Sequence, residues 1–203
     1  DQGVNFFDAA ELYPIPPKPE TQGKTEECIG SWFKKTGNRE KVILATKVAG
    51  RSPMSWFRGE GTKLDRENIE AAVEASLERL QTDYIDLYQL HWPDRPMSMF
   101  GSGGIGYKHT DSESIPINET LQVLSDLVTS GKIRYVGLSN ETSWGLSEFL
   151  KYSEMNDLPR VVSVQNAYNF LNRTYEQGMS EYFHRSQVGL LAYSPLAQGY
   201  LTG

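Results

Sequence analysis

The sequence predicts an α/β fold built on a parallel β-sheet. Short apolar runs alternate with longer amphipathic runs along the whole chain of 203 residues, which is the pattern of repeated βα units. Asp8, Lys47 and His91 end strand-like runs, and Tyr13 follows the first of them closely. Because parallel α/β folds draw site residues from the carboxyl ends of several strands, this placement favours a barrel.

Six strands are predicted from short runs rich in β-branched and aromatic residues. Each is separated from the next by a segment long enough to cross back over a sheet, so the strands should all run parallel. The predicted strands cover residues 4–8, 42–47, 84–91, 133–139, 161–165 and 189–194.

Five helices are predicted between these strands. In the clearest one, LDRENIEAAVEASLERL, Asp65 can cap the free amides and four aliphatic residues fall on one face. A second helix should cover residues 117–130, with Gly131 placed to end it in a left-handed conformation. The remaining three are expected near residues 25–36, 142–155 and 175–185.

Two connections, residues 48–64 and 93–115, are too long to be simple turns and should overhang the site. Their large side chains predict a pocket lined by aromatic and soft apolar groups, although any one of them could instead only cover the rim. These residues are Trp56, Phe57, Trp92, Met97, Met99 and Phe100, with Trp56 and Trp92 as the leading substrate-binding candidates. The GSGGIG run at residues 101–106 follows no strand, so it is interpreted as flexible and not as a dinucleotide-binding fingerprint.

Composition excludes several classes of partner. The net charge of −6 and the scattered basic residues argue against nucleic acid, and no apolar run approaches the length of a membrane span. The single cysteine, Cys28, is expected on the apolar side of its helix, so neither a disulfide framework nor a cysteine metal site is predicted. The three histidines are far apart, so no metal site is expected, and a reducing, cytoplasmic setting fits best.

A phenol, an amine, a carboxylate and an imidazole are the parts of a proton-donating site. The Tyr13 phenol would ordinarily keep its proton up to a pKa of about 10, so a neighbouring Lys47 ammonium would make it a better acid, and Asp8 would keep that ammonium charged. Taken singly, each residue has an ordinary structural explanation, as do His109 and His184. The shared strand-end placement of Asp8, Lys47 and His91 favours a catalytic site.

Six segments resemble, in the same order, those of the aldo-keto reductases, a family of (β/α)8 TIM barrels that reduce carbonyls with a nicotinamide cofactor. The segments are FFDAAELY, ATKV, DLYQLHWPD, GKIRYVGLSN, VVSVQNAYNFLNR and LLAYSPLAQGYLTG. The stretch ELYPIPPKPETQGKTEE and the HWPDRP loop are most similar to the bacterial Tas-type reductases, which are related to the potassium-channel β subunits. The resemblance implies one barrel domain over residues 1–203 that holds about strands two to seven of eight, so we expect the natural protein to be longer.

The resemblance also implies roles for the site residues. Tyr13 would donate a proton to the carbonyl oxygen, Lys47 would lower the pKa of Tyr13, Asp8 would pair with Lys47, and His91 would orient the carbonyl. The family resemblance implies that the cofactor is NADPH. Its carboxamide would be held by Ser139, Asn140 and Gln165. Tyr193 would stack under the nicotinamide ring unless it is only a core aromatic. The loop over the pyrophosphate would contain Ser194, Leu196, Gln198 and Gly199.

Three functional hypotheses remain open on the sequence alone. The first is reduction of a small-molecule aldehyde or ketone that carries an apolar or aromatic group. The second is a regulatory or redox-sensing protein that binds NADP(H) with slow turnover. The third is an incomplete barrel that has no activity by itself. The oligomeric state is not predicted.

Overall fold

The computed structural model describes residues 3–97 and 112–203. Within them, six strands form one sheet in the order of the chain, and every neighbouring pair is parallel. The sheet curls into an incomplete barrel, as predicted. The strands are β1 (Phe6–Asp8), β2 (Ile43–Val48), β3 (Ile85–Leu90), β4 (Ile133–Ser139), β5 (Val161–Ala167) and β6 (Gly189–Tyr193), which confirms all six predicted strands.

Helices connect successive strands and cover one face of the sheet. Neighbouring helices also pack against one another, so the structure has an inner sheet layer and an outer helical layer. The helices are α1 (Lys24–Thr36), α2 (Arg66–Leu80), α3 (Ile117–Thr129), α4 (Ser143–Asn156) and α5 (Ser180–Arg185).

Two predicted helix ends are confirmed in detail. The side chain of Asp65 accepts a hydrogen bond from the backbone N–H of Asn68 at 3.0 Å, so it caps the start of α2. Gly131 has a left-handed φ of 77° and its N–H donates to the carbonyl of Val128 at the end of α3. The local sequence therefore determines where these two helices begin and end.

Helix α5 is shorter than predicted. The sequence suggested a helix near residues 175–185, whereas a 3-10 turn at Thr174–Glu176 comes first and the α-helix starts at Ser180. Between them Gly178 has a φ of 98°, which a helix cannot accommodate. The glycine divides the segment in two.

The hydrophobic core lies between the outer face of the sheet and the helices. Alternate residues of the strands point to it, in keeping with the two-residue period of β structure. Its large, fully buried side chains come from strands and helices alike and include Leu44, Ile85, Tyr88, Leu138, Ile69, Leu80, Leu121, Leu124, Leu146 and Phe183.

The inner face of the sheet is polar towards the carboxyl ends of the strands. Parallel pairing sets Lys47 beside Gln89, Gln89 beside Gly137, and Gly137 beside Ser163. Asp8 ends β1 on the same face, since its carboxylate contacts Lys47. The register therefore brings polar side chains from neighbouring strands to one surface.

Cys28 does not lie where the sequence suggested. It is exposed, whereas the buried residues of α1 are Glu26, Gly30 and Phe33. The expected orientation was wrong because Glu26, a charged residue, takes the buried side of the helix through hydrogen bonds with Thr46 and Arg79.

Several predictions fall on residues 98–111, outside the described part of the chain: Met99, Phe100, His109 and the GSGGIG run. In the described part, no helix combines the length and the apolar character needed to span a bilayer.

Gly30→Ala should destabilise the protein. A Cβ at this position would lie 2.2 Å from the backbone carbonyl oxygen of Arg79, so α1 and α2 would have to move apart. We expect a loss of about 1–3 kcal/mol in the free energy of unfolding, measured by urea denaturation. Gly189→Ala is the matched control, because its nearest contact would be 3.7 Å from the oxygen of Val162. Equal losses in the two variants would contradict this account.

Candidate active site

An ion pair between a buried lysine and a partly exposed aspartate joins the ends of β1 and β2. The Nζ of Lys47 donates to Oδ2 of Asp8 at 2.7 Å and to the carbonyl oxygen of Ala9 at 2.6 Å. The Lys47 side chain is completely buried. Burial lowers the pKa of Lys47, while the charge of Asp8 and its hydrogen bond act in the opposite direction.

Tyr13 and His91 lie beside this ion pair. The Nζ of Lys47 is 5.1 Å from the centroid of the Tyr13 ring, and the rings of Tyr13 and His91 meet edge to face at 5.6 Å. The four residues that sequence analysis selected thus come together at the carboxyl ends of three neighbouring strands.

The protonation of Tyr13 differs from expectation. We expected Lys47 to lower the pKa of Tyr13, whereas burial raises it to about 12, with further increases from the negative charge of Asp8 and from Tyr193. The physical reason is that burial disfavours the charged phenolate and that the negative charge of Asp8 lies near the ring. Tyr13 therefore keeps its proton throughout the neutral range.

His91 is a neutral imidazole. Burial lowers its pKa to about 3, and the charge of Lys47 contributes to the decrease. Its Nδ1 is buried without a hydrogen-bond partner among the residues that the structure describes. A neutral ring that carries one N–H is able to donate a hydrogen bond to a carbonyl oxygen without bringing a second positive charge into the site.

Amide and hydroxyl groups extend from the ion pair across β4, β5 and β6. Asn140 donates from Nδ2 to the carbonyl oxygen of His91 at 2.9 Å and accepts at Oδ1 from the Tyr193 hydroxyl at 2.8 Å. Ser139 donates to the carbonyl oxygen of Gln165 at 2.9 Å, and Nε2 of Gln165 donates to Oδ2 of Asp8 at 3.2 Å. One hydrogen-bond network therefore connects the predicted cofactor residues to the ion pair through Gln165.

A cavity of about 500 Å³ opens at this edge of the sheet. Among the described residues that line it, none carries a formal charge at neutral pH. Its polar side is formed by Tyr13, His91, Ser139, Asn140, Gln165, Tyr193, Ser194 and Gln198, and its apolar side by Leu12, Ile15, Pro17, Met54 and Trp92.

Some predicted site residues lie away from this cavity. Trp56 stacks on Phe57 with ring centroids 5.9 Å apart and does not line the cavity, whereas Trp92 does. Leu196 is exposed, and Gly199 lies in a turn with a φ of 100°. Met97 lines a second cavity, of about 670 Å³, that shares Asn140, Tyr193, Ser194 and Gln198 with the first.

The carboxylates that hold the two long loops were not predicted from the sequence. Glu11 is buried and accepts hydrogen bonds at Oε2 from Nη1 of Arg58, at 2.7 Å, and at Oε1 from the N–H of Ala49, also at 2.7 Å. Although burial alone would lower the pKa of Arg58, the hydrogen bond and charge of Glu11 raise it. The Arg58 contact fixes the first long loop next to Tyr13.

Asp94 joins both long loops. Its Oδ1 accepts from Nη2 of Arg51 at 2.7 Å and from the N–H of Ile115 at 2.8 Å, and its Oδ2 accepts from the N–H of Leu64 at 2.9 Å. The sequence offers no spacing signal for these contacts, because the partners come from separate segments of the chain.

With this geometry established, comparison with known proteins decides the family. The family model described as "Aldo/keto reductase family" matches residues 1–203. The chain belongs to the aldo/keto reductase family. Among its relatives, the protein tas of Escherichia coli (strain K12) is 49% identical over 205 residues, which cover 100% of this chain and 58% of that protein. The resemblance to Tas-type reductases is thereby confirmed.

Two other aldo/keto reductases extend this comparison. The aldo-keto reductase of Babesia bovis is 46% identical over 80% of this chain and 61% of that protein. YhdN of Bacillus subtilis (strain 168) is 34% identical over 100% of this chain and 51% of that protein. The chain therefore spans about half to three-fifths of the length of these relatives.

Arg58→Met should destabilise the protein strongly, because it leaves the buried Glu11 carboxylate without its cation. We expect the free energy of unfolding to fall by about 3–5 kcal/mol, measured by chemical denaturation. Arg66→Met is the control, because Arg66 forms ion pairs with Glu70 and Asp126 on the exposed surface and should have a much smaller effect. Similar losses in the two variants would show that burial of Glu11 has no special importance.

The burial of His91 should make stability depend on pH. Its pKa is about 3 in the folded chain and about 6.5 when unfolded, so the unfolded state binds an additional proton between these values. The free energy of unfolding should therefore decrease as the pH falls from about 6.5 towards 3. In His91→Asn the decrease should be smaller, and in the control variant of the exposed His184, His184→Asn, it should match the parent. The same slope in His91→Asn as in the parent would exclude the buried neutral imidazole.

Proposed function

We propose that this chain forms part of an NADPH-dependent enzyme that reduces an aldehyde or ketone to an alcohol by hydride transfer, with Tyr13 as the general acid. The observation that carries the proposal is the ion pair between Asp8 and the buried Lys47, which lies beside Tyr13 at the mouth of a cavity lined by hydroxyl and amide groups. Strongly perturbed pKa values at Tyr13 and His91 support a functional interpretation of this cavity.

The residues present fit a nicotinamide cofactor. Ser139, Asn140 and Gln165 line the cavity, and their side chains are able both to donate and to accept hydrogen bonds, as a carboxamide requires. The Tyr193 ring lies on the same wall. When bound, the reduced nicotinamide supplies the hydride. The preference for the phosphorylated cofactor rests on the family relationship.

Tyr13 would supply the proton. As a C–H bond forms at the carbonyl carbon, the π electron pair moves to the oxygen, which takes the phenolic proton and leaves Tyr13 as a phenolate. The Lys47 ammonium, whose Nζ lies 5.1 Å from the centroid of the Tyr13 ring, would favour a phenolate over a neutral phenol. Lys47 would thus stabilise charge that develops only during the reaction, which is how binding energy accelerates a chemical step.

The substrate class follows from the lining of the cavity. Leu12, Ile15, Met54 and Trp92 supply an apolar wall, and no formally charged side chain is present among the described lining residues. A neutral aldehyde or ketone with an apolar or aromatic group fits this surface better than an acid or a phosphate ester does. The exposed thiol of Cys28 fits a reducing compartment, and we therefore propose a cytoplasmic protein.

A second candidate is an NADP(H)-binding regulatory protein with slow turnover. The high pKa of Tyr13, about 12, favours it, because a weaker acid transfers its proton less readily near neutral pH. The two candidates share the cofactor site and differ in their rate of carbonyl reduction.

Tyr13→Phe should abolish most carbonyl reduction and leave NADPH affinity nearly unchanged, because only the proton donor is removed. In the full-length protein we expect the rate to fall by about 10²–10⁴-fold, measured as NADPH consumption with a panel of aromatic and aliphatic aldehydes. Tyr135→Phe is the matched control, since Tyr135 is an exposed phenol that does not line the cavity.

Each outcome decides between the candidates. Full activity in Tyr13→Phe would overturn the role of Tyr13. Tight NADPH binding without turnover in the parent protein would favour the regulatory candidate, and a failure to bind NADPH would overturn both.

A further inference from the structure

Gln89 holds the oxygen of Asp8 that Lys47 does not contact. Gln89 lies on β3 and is completely buried. Its Nε2 donates to Oδ1 of Asp8 at 2.9 Å. The other oxygen, Oδ2, accepts from Lys47 at 2.7 Å and from Gln165 at 3.2 Å. Three neighbouring side chains therefore fix the Asp8 carboxylate, and Gln89 alone among them contacts Oδ1.

The orientation of the Gln89 amide is set by Asp8. An ionised carboxylate only accepts hydrogen bonds, so Gln89 must present its NH₂ group to it. The other end of the amide, Oε1, is buried and has no hydrogen-bond partner in residues 3–97 and 112–203. Because a buried, unpaired oxygen is unfavourable, this arrangement indicates that the contact with Asp8 determines the position of Gln89.

The neighbouring strand makes room for this side chain. Gly137 is the partner of Gln89 in the β3–β4 register. A Cβ on Gly137 would lie 3.0 Å from Cγ of Gln89 and 3.0 Å from Oγ of Ser163. The φ of Gly137 is not positive, so the glycine is explained by space and not by backbone conformation.

We propose that Gln89 is a positioning residue for proton transfer, which keeps the Asp8 carboxylate turned towards Lys47 and so keeps the ammonium charged and beside Tyr13. This inference rests on the proposed function. Gln89 does not line the cavity, so its effect would reach the substrate only through Asp8, Lys47 and Tyr13.

The groups around Lys47 set the sign of the expected pH effect. Asp8 faces it from β1, Glu26 from α1, His91 from the end of β3 and Tyr13 from the loop after β1. Burial lowers the pKa of Lys47, whereas Asp8 and Glu26 raise it. Loss of the Gln89 contact would weaken the effect of Asp8, so Lys47 would lose its proton at a lower pH. The alkaline limb of the rate profile should then move to lower pH.

Gln89→Met tests the proposal in the full-length protein, because methionine fills similar space without a donor. We expect kcat for aldehyde reduction to fall by about 10-fold to 100-fold, as is typical when an outer partner of a site ligand is lost. KM should change little and the alkaline limb should move to lower pH. Ser163→Ala is the matched control, because Ser163 lies on the same face of the sheet as Gln89. Like Oε1 of Gln89, its Oγ is buried without a hydrogen-bond partner in the described residues, but Ser163 does not contact Asp8.

A second variant covers a failure of Gln89→Met to fold. Gly137→Ala retains the amide but crowds Cγ of Gln89. If the side chain is displaced from Asp8, the profile should shift in the same direction. An unchanged kcat and pH profile in the folded variant, with activity in the parent, would overturn the role of Gln89 only. Absence of turnover in the parent protein would overturn the proposed function and this inference with it.

Discussion

The polar part of the inner sheet face depends on one ion pair, between Asp8 and the buried Lys47. An isolated ammonium at the position of Lys47 would be too costly to bury, so Asp8 must face it. Asp8 in turn accepts from Gln89 and Gln165. A shift of one residue in the pairing of β2 would turn Lys47 into the apolar layer beneath the helices. The ion pair therefore forms only in one register of the sheet, and the same register is required to bury the apolar residues of β2.

The charges around the cavity are balanced before any reaction. Lys47 carries a positive charge and Asp8 a negative one, while burial keeps His91 neutral and Tyr13 protonated. In such surroundings a new negative charge on Tyr13 or on a substrate oxygen would not be screened by water, so the fixed ammonium gains importance. A raised pKa of Tyr13 is compatible with a role for Lys47, because a nearby ammonium would reduce the free-energy cost of the phenolate that burial increases.

Much of the fold could be predicted because the strand and helix patterns are local. Strand ends also indicated which polar side chains would converge, and Asp8, Tyr13, Lys47 and His91 do so. The contacts between distant segments could not be predicted: Glu11 and Arg58 are 47 residues apart and meet only because of the path of a long loop. The pKa of Tyr13 was wrongly anticipated for a similar reason, since it depends on burial and on the nearby charge of Asp8. Neither the contact between Glu11 and Arg58 nor the pKa of Tyr13 can be derived from the spacing of residues along the chain.

Two kinds of support hold the two sides of the cavity. The ion pair and its amide partners come from the strands and are fixed by the sheet register. The first long loop, which carries Met54, is instead attached by Glu11 and Asp94 through two guanidinium groups and backbone N–H groups. Backbone contacts place few demands on the side chains of the loop, so its apolar residues are able to vary without disturbing Lys47. Under the proposed function, substrate preference would therefore be physically separable from proton transfer, because the first would depend on loop side chains and the second on the polar face of the sheet.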